Sequence, residues 1–176
     1  MAQSTASFQL LSPSPNSCDH IASSVKDFFA RNTLNSIEAN LFAEKFLPIA
    51  REQACPGLPG ILNLKGFQLY QKNETGMAKE VLFEAEKLLL KKERTNDAFT
   101  VNQRFLGLLY ILEHNYDMAI LHLKHSKFEA EALGDHPGQL HACLNIGLAY
   151  MNKKAFNKAS EYLQTALEEA RLICDL

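Results

Sequence analysis

The side chains with the strongest chemistry in this chain are its histidines and cysteines, so their spacing comes first. His122 and His125 stand three apart, and Glu129 follows four residues later. On one helix face that set has the spacing of metal ligands. His141 and Cys143 stand two apart. A thiol nucleophile needs its base in contact and a third group to orient it. Two apart on a helix, the side chains diverge. Cys18, Cys55, Cys143 and Cys174 include no C-x-x-C pair, so a zinc or thioredoxin-type motif has no support. No phosphate loop and no G-x-G-x-x-G run occurs. The expectation is therefore no catalytic residues, no metal, no cofactor and no enzyme activity. Asn73-Glu-Thr75 matches a glycosylation sequon by pattern alone. Ser12-Pro13 and Ser14-Pro15 match proline-directed phosphorylation sites, and the plainer reading is a disordered tail.

The elements that position these groups must be helical. Leu and Ala together number 47 of the 176 residues, whereas Val, Ile and Thr number 17. Straight-chain helix formers dominate and strand formers are scarce. A β-sandwich, a β-barrel and a doubly wound parallel sheet are disfavoured from the outset. The formal net charge is −2, so no global basic field favours nucleic acid. Residues 1–17 lack the basic start and apolar run of a signal peptide. The longest apolar stretch, Leu106 to Leu112, is too short to span a membrane. A cytoplasmic protein with reduced thiols and no membrane insertion is the expectation.

Residues 1–17 are rich in Ser, Thr and Pro and read as a mobile tail, with Phe8-Gln-Leu-Leu11 as a small apolar island. Residues 18–55 read as two helices broken at Arg31-Asn-Thr33, with Pro48 kinking or ending the second. Cys55-Pro-Gly-Leu-Pro-Gly60 reads as a loop, and Pro59 suits the first turn of the next helix. From there the chain repeats. Gly66, Gly107 and Gly147 are spaced by 41 and 40 residues. In the same register stand Leu69, Tyr110 and Tyr150; then Thr75, Tyr116 and Phe156; then Ala78, Ala119 and Ala159. Leu82, Leu123 and Leu163 follow, and then Ala85, Ser126 and Ala166. Each unit is expected to be two antiparallel helices. Glycine in the first and alanine in the second would let the two backbones approach. A single unit leaves its apolar face bare, so the units must stack. Asp135 and Pro137 suit a helix start, Gly134 a helix end, and Asn96 or Asp97 the cap of the helix running to about Glu113. Lys91-Lys-Glu-Arg94 reads as a solvated helix end.

Leu106-Gly-Leu-Leu-Tyr110 with Tyr116 and Ala119, and Ile146-Gly-Leu-Ala-Tyr150 with Phe156 and Ala159, resemble the tetratricopeptide repeat (TPR). The period near 40 and the link Leu133-Gly-Asp135 resemble the longer-helix TPRs of the Pins, rapsyn and kinesin-light-chain type. The resemblance implies an all-α, right-handed α-solenoid of antiparallel helix pairs. Its parts would be a tail over 1–17, a degenerate N-terminal helix pair over 18–55, and units over 58–95, 96–135 and 136–174. It also implies a non-enzymatic scaffold or adaptor that holds a partner peptide or helix in the concave groove. Family groove positions fall on Asn63, Phe67 and Tyr70, on Arg104, Leu108 and Ile111, and on Leu144, Asn145, Leu148 and Met151. Asn63, Arg104 and Asn145 would be the polar anchors, and the apolar members are equally suited to packing on a neighbouring segment. Phe67 and Phe105 stand where chaperone-binding TPRs need polar clamp residues, so heat-shock chaperone tails should not bind. The register places His122 and His125 on the outer surface of a second helix. Cys174-Asp175 repeats Gly134-Asp135, so the last unit reads as uncapped. Leu163, Leu167, Leu172 and Ile173 could then pair with a second copy or with further repeats, which is the alternative reading.

Overall fold

The computed structural model describes residues 17–31, 36–91 and 97–174. Residues 1–16 of the tail expected over 1–17, Asn32 to Leu34, the Lys92 to Arg94 stretch, Asn96 and Asp175 lie outside the described residues. Among the described residues there are eight helices and no strand: α1 (Cys18–Ala30), α2 (Ile37–Glu52), α3 (Leu58–Gln71), α4 (Thr75–Leu89), α5 (Asp97–Leu112), α6 (Tyr116–Leu133), α7 (His136–Asn152) and α8 (Phe156–Cys174).

Local chemistry fixes where these helices begin and end. Ser17 Oγ accepts from His20 N–H, Ser36 Oγ from Ala39 N–H, and Asp135 Oδ1 from Gly138 N–H, at 3.2, 3.0 and 2.9 Å. Each satisfies one of the amide donors left free in a first helical turn. The turns inside the three repeated units end alike. Asn73, His114 and Lys154 adopt φ of 61°, 57° and 60°. The next amides, at Glu74, Asn115 and Ala155, each donate to a carbonyl five residues back at 2.9 Å. This is a left-handed helix cap recurring at the repeat spacing, here without glycine. Of the two outcomes expected at Pro48, an end to the second helix does not occur: α2 runs through Pro48 to Glu52. Ala43, Phe46 and Ala50 are buried around it, and that packing offsets the lost backbone bond.

The architecture is an α-solenoid. Each helix packs on the next, and in addition α1 touches α3, α3 touches α5 and α5 touches α7. Among the described residues the even-numbered helices approach one another less closely, α2 reaching α4 through the long side chains of the Arg51–Glu84 ion pair. The odd layer is therefore the tighter of the two, and the array curves toward it. The repeated glycines explain the close hairpins in a specific way. A Cβ on Gly66, Gly107 or Gly147 would lie 2.5, 2.5 or 2.8 Å from the leucine sixteen residues on: Leu82, Leu123 or Leu163. The space freed by glycine is thus filled mainly by a leucine side chain, with an alanine carbonyl next nearest at Gly107 and Gly147. Ala119 O would be 3.3 Å from the Gly107 Cβ. Gly107→Ala should cost about 1–3 kcal/mol of overpacking, only partly offset by better helix propensity. Thermal unfolding checks this, and an unchanged midpoint would refute the packing account.

Candidate functional site

The odd layer carries the candidate surface. On α5, Arg104, Leu108 and Ile111 follow at helical spacing and are all half-buried. On α7, Leu144, Leu148 and Met151 do the same and are 42%, 43% and 47% exposed. Asn145 beside them is half-buried and makes no hydrogen bond to another described residue. On α3, Phe67 stacks on Phe105 of α5 with ring centroids 4.8 Å apart, and on Tyr70 at 6.0 Å. Burial pushes the Tyr70 hydroxyl above its ordinary range. All ten expected residues thus lie on the odd-numbered helices and nine of them are at least partly exposed, with the apolar surface most open at α7.

Asn63 is the exception. It is fully buried, and its amide donates to Ala98 O at 2.7 Å. Its Oδ1 accepts from Asn102 Nδ2 at 2.9 Å. Asn102 also donates to Leu82 O, and Gln103 donates to Glu86 and Asn102. Asn63 is thus part of a buried polar network joining α3, α4 and α5. A position three before the repeat glycine faces a neighbouring helix here, which one-unit periodicity does not reveal.

His122 needs the same correction. It is 8% exposed, donates a hydrogen bond from Nδ1 to Gln103 Oε1 at 2.9 Å, and stacks on Tyr110. It belongs to the interior, while His125 is exposed. No group of three metal-binding side chains converges among the described residues. Burial holds both His122 and His141 below the ordinary histidine range. For His141 the nearby Arg104 adds to this and Asp135 opposes it. In the unfolded chain each would titrate near 6.5. Stability should then be level above that pH and fall below it, as the unfolded state binds protons that the folded state resists. Melting temperatures between neutral and mildly acid pH check this. A His122→Gln variant should show a shallower fall.

The cysteines also depart from expectation. Cys18 and Cys55 form a disulfide, tying the start of α1 to the turn before α3, while Cys143 and Cys174 are free. A separation of 37 residues carries no pairing signal by itself. The bond exists because Ala22 and Val25 of α1 pack against Gly57 and Gly60. The Cys143 thiol is pushed up by burial, the opposite of an activated nucleophile.

Sequence reasoning missed a cavity of about 850 Å³ beside the α5 segment. It lies where the first turns of α3, α5 and α7 meet the flank of α1. Thr100, Arg104 and His141 line it, with Val25, Lys26 and Phe29 of α1 opposite. Burial lowers the Arg104 guanidinium to about 10, against the pull of Asp135, so it is still a cation at neutral pH.

No family model matches the chain, and no curated protein matches it in sequence. Among solved structures, the crystal structure of BtubC (BKLC) from P. vanneervenii aligns with 96% of this chain and 69% of its own, with a TM-score of 0.70 and 16% identity. At that identity the likeness is one of fold, and it agrees with the helical-repeat architecture described above.

Proposed function

We propose that this chain is a TPR-like, non-enzymatic interaction module that holds an extended or helical partner segment on the face of its odd-numbered helices. The observation that carries the reading is the exposed run Leu144, Leu148 and Met151 on α7, beside half-buried Leu108 and Ile111 on α5. Three large apolar side chains more than 40% exposed at helical spacing form a stripe that a partner's apolar face would cover. Asn145, with its amide uncommitted, would bond the partner backbone, and Arg104 would mark one end of the track. No helix of the described residues is long and apolar enough to cross a membrane, and the partner class we favour is protein. The high-lying Cys143 thiol supports the non-enzymatic part of the reading.

Substituting Leu148→Asp with Met151→Asp should remove partner capture while leaving the melting curve unchanged, because both positions are exposed. Arg104→Glu with Asn145→Ala should do the same. Pull-down with quantitative mass spectrometry compares each variant with the unmodified chain. Undiminished capture by both pairs would place the site elsewhere.

A second reading, self-assembly through the last unit, is favoured by α8. There Leu167 and Leu172 are 47% and 49% exposed, and Leu163 is only half-buried, unlike Leu82 and Leu123 in the same column. Sedimentation across a range of concentrations separates the two, since a monomer throughout rules out self-pairing.

A further inference from the structure

We propose that the cavity between α1 and the first turns of α3, α5 and α7 is a binding site for a small amphipathic monocarboxylate, an apolar chain or ring bearing one carboxylate that pairs with Arg104. Its volume, about 850 Å³, lies within the range of small-molecule sites, which are mostly apolar with a few placed polar groups. Val25, Phe29, Leu89, Val101 and Leu133 supply the apolar lining.

Two polar groups in it have no hydrogen-bond partner among the described residues. The Arg104 side chain forms no hydrogen bond or ion pair with any described residue, and its guanidinium carbon lies over the ring of its neighbour Phe105, 5.2 Å from the centroid. A guanidinium is a planar two-pronged donor matched to a carboxylate. Thr100 is 3% exposed, and its hydroxyl is buried with no hydrogen-bond partner. Leaving a buried hydroxyl unmet is costly in an unliganded protein, and a ligand oxygen would satisfy it.

The charge balance selects the class of anion. Lys26 and Arg104 face the cavity, and so do Asp97 and Asp135. Asp135 is engaged in capping Gly138. His141, the remaining titratable group in the lining, is held neutral by burial. Among the described residues neither cation is ion-paired, but Lys26 is exposed to solvent, so Arg104 is the one half-buried cation in a lining of nearly zero net charge. That suits a single negative charge and disfavours a phosphate dianion, which both aspartates would repel. The site goes beyond the groove reading: it shares Arg104 with the groove but is bounded by α1 rather than by the open apolar stripe.

Calorimetric titration of the full chain with decanoate, kept below its micelle concentration, tests the proposal. Decanol and decylamine are the matched probes. Saturable one-site binding of decanoate is expected, with decanol weaker by about tenfold or more and decylamine not binding. Arg104→Met should reduce decanoate to the decanol level, and Arg104→Lys should keep part of the preference. Thr100→Val should weaken decanoate while leaving the melting temperature equal or higher, since it deletes an unpartnered hydroxyl. Equal binding of decanoate and decanol, binding unaffected by Arg104→Met, or no saturable decanoate binding would each overturn the proposal. So would Arg104-dependent binding of an acidic apolar peptide in place of decanoate, which would make the cavity an extension of the groove.

Discussion

Asn102→Leu should destabilise the fold by about 3 kcal/mol, because it breaks a buried hydrogen-bonded network. Leucine has the same branched four-heavy-atom side chain as asparagine and is no smaller, so the expected loss comes from polarity rather than from a cavity. Asn102 is fully buried. Its amide donates to Asn63 Oδ1 and to Leu82 O, both at 2.9 Å, and its Oδ1 accepts from Gln103 Nε2 at 3.3 Å. Removing it leaves an acceptor on Asn63 and a donor on Gln103 in a site that water does not reach. Each such orphan costs about 1–3 kcal/mol. For a chain of this size the midpoint of thermal unfolding should fall by roughly 6–12 °C. The double variant Asn63→Leu with Asn102→Leu should cost less than the sum of the two single changes, because the orphaned partner is removed too. A single variant within about 0.5 kcal/mol of the parent would show that the network is dispensable.

The second large effect is expected at the disulfide. Closing a loop of 37 residues contributes about 3–4 kcal/mol on chain-entropy grounds. That stabilisation acts on α1 above all. α1 has Ile21 and Val25 buried against the core, and Val25 fills the place of a Cβ at Gly60, 2.3 Å away. It does not share the close glycine-based hairpin of the later units, so the bond to Cys55 is its main covalent tether. Under reductant, or in Cys18→Ser with Cys55→Ser, hydrogen exchange should show the amides of α1 opening first. The amides of α3 to α8 should keep their protection. Because α1 provides Val25, Lys26 and Phe29 to the cavity, decanoate affinity should fall in the same sample. Unchanged protection over α1 would mean that packing alone holds it.

Much of this architecture is legible in the sequence for a plain physical reason. A helix pair that must stack on copies of itself puts the same demand on each copy, so Gly66, Gly107 and Gly147 and the alanine and leucine columns recur in register. The Asp135 cap and the left-handed Gly134, at φ 67°, are local devices that depend on near neighbours only. The apolar stripe on α7 is likewise visible, since exposure there follows from position within one unit. The passage of α2 through Pro48 was not legible, because burial of Phe46 and Ala50 outweighs a local preference.

The sequence by itself determined that the chain is a series of helix pairs, where each pair turns, and which residues let paired helices approach. Tertiary structure alone decided what happens between units and at the N-terminal end. Asn63 and His122 were drawn into the interior, where Asn102 and Gln103 of α5 meet them. Cys18 met Cys55 because α1 lies along the start of α3, and the same placement walls a cavity around Arg104. Periodicity constrains a residue's face on its own helix. Which partner faces it depends on contacts between residues distant in sequence, and a single unit carries no record of those.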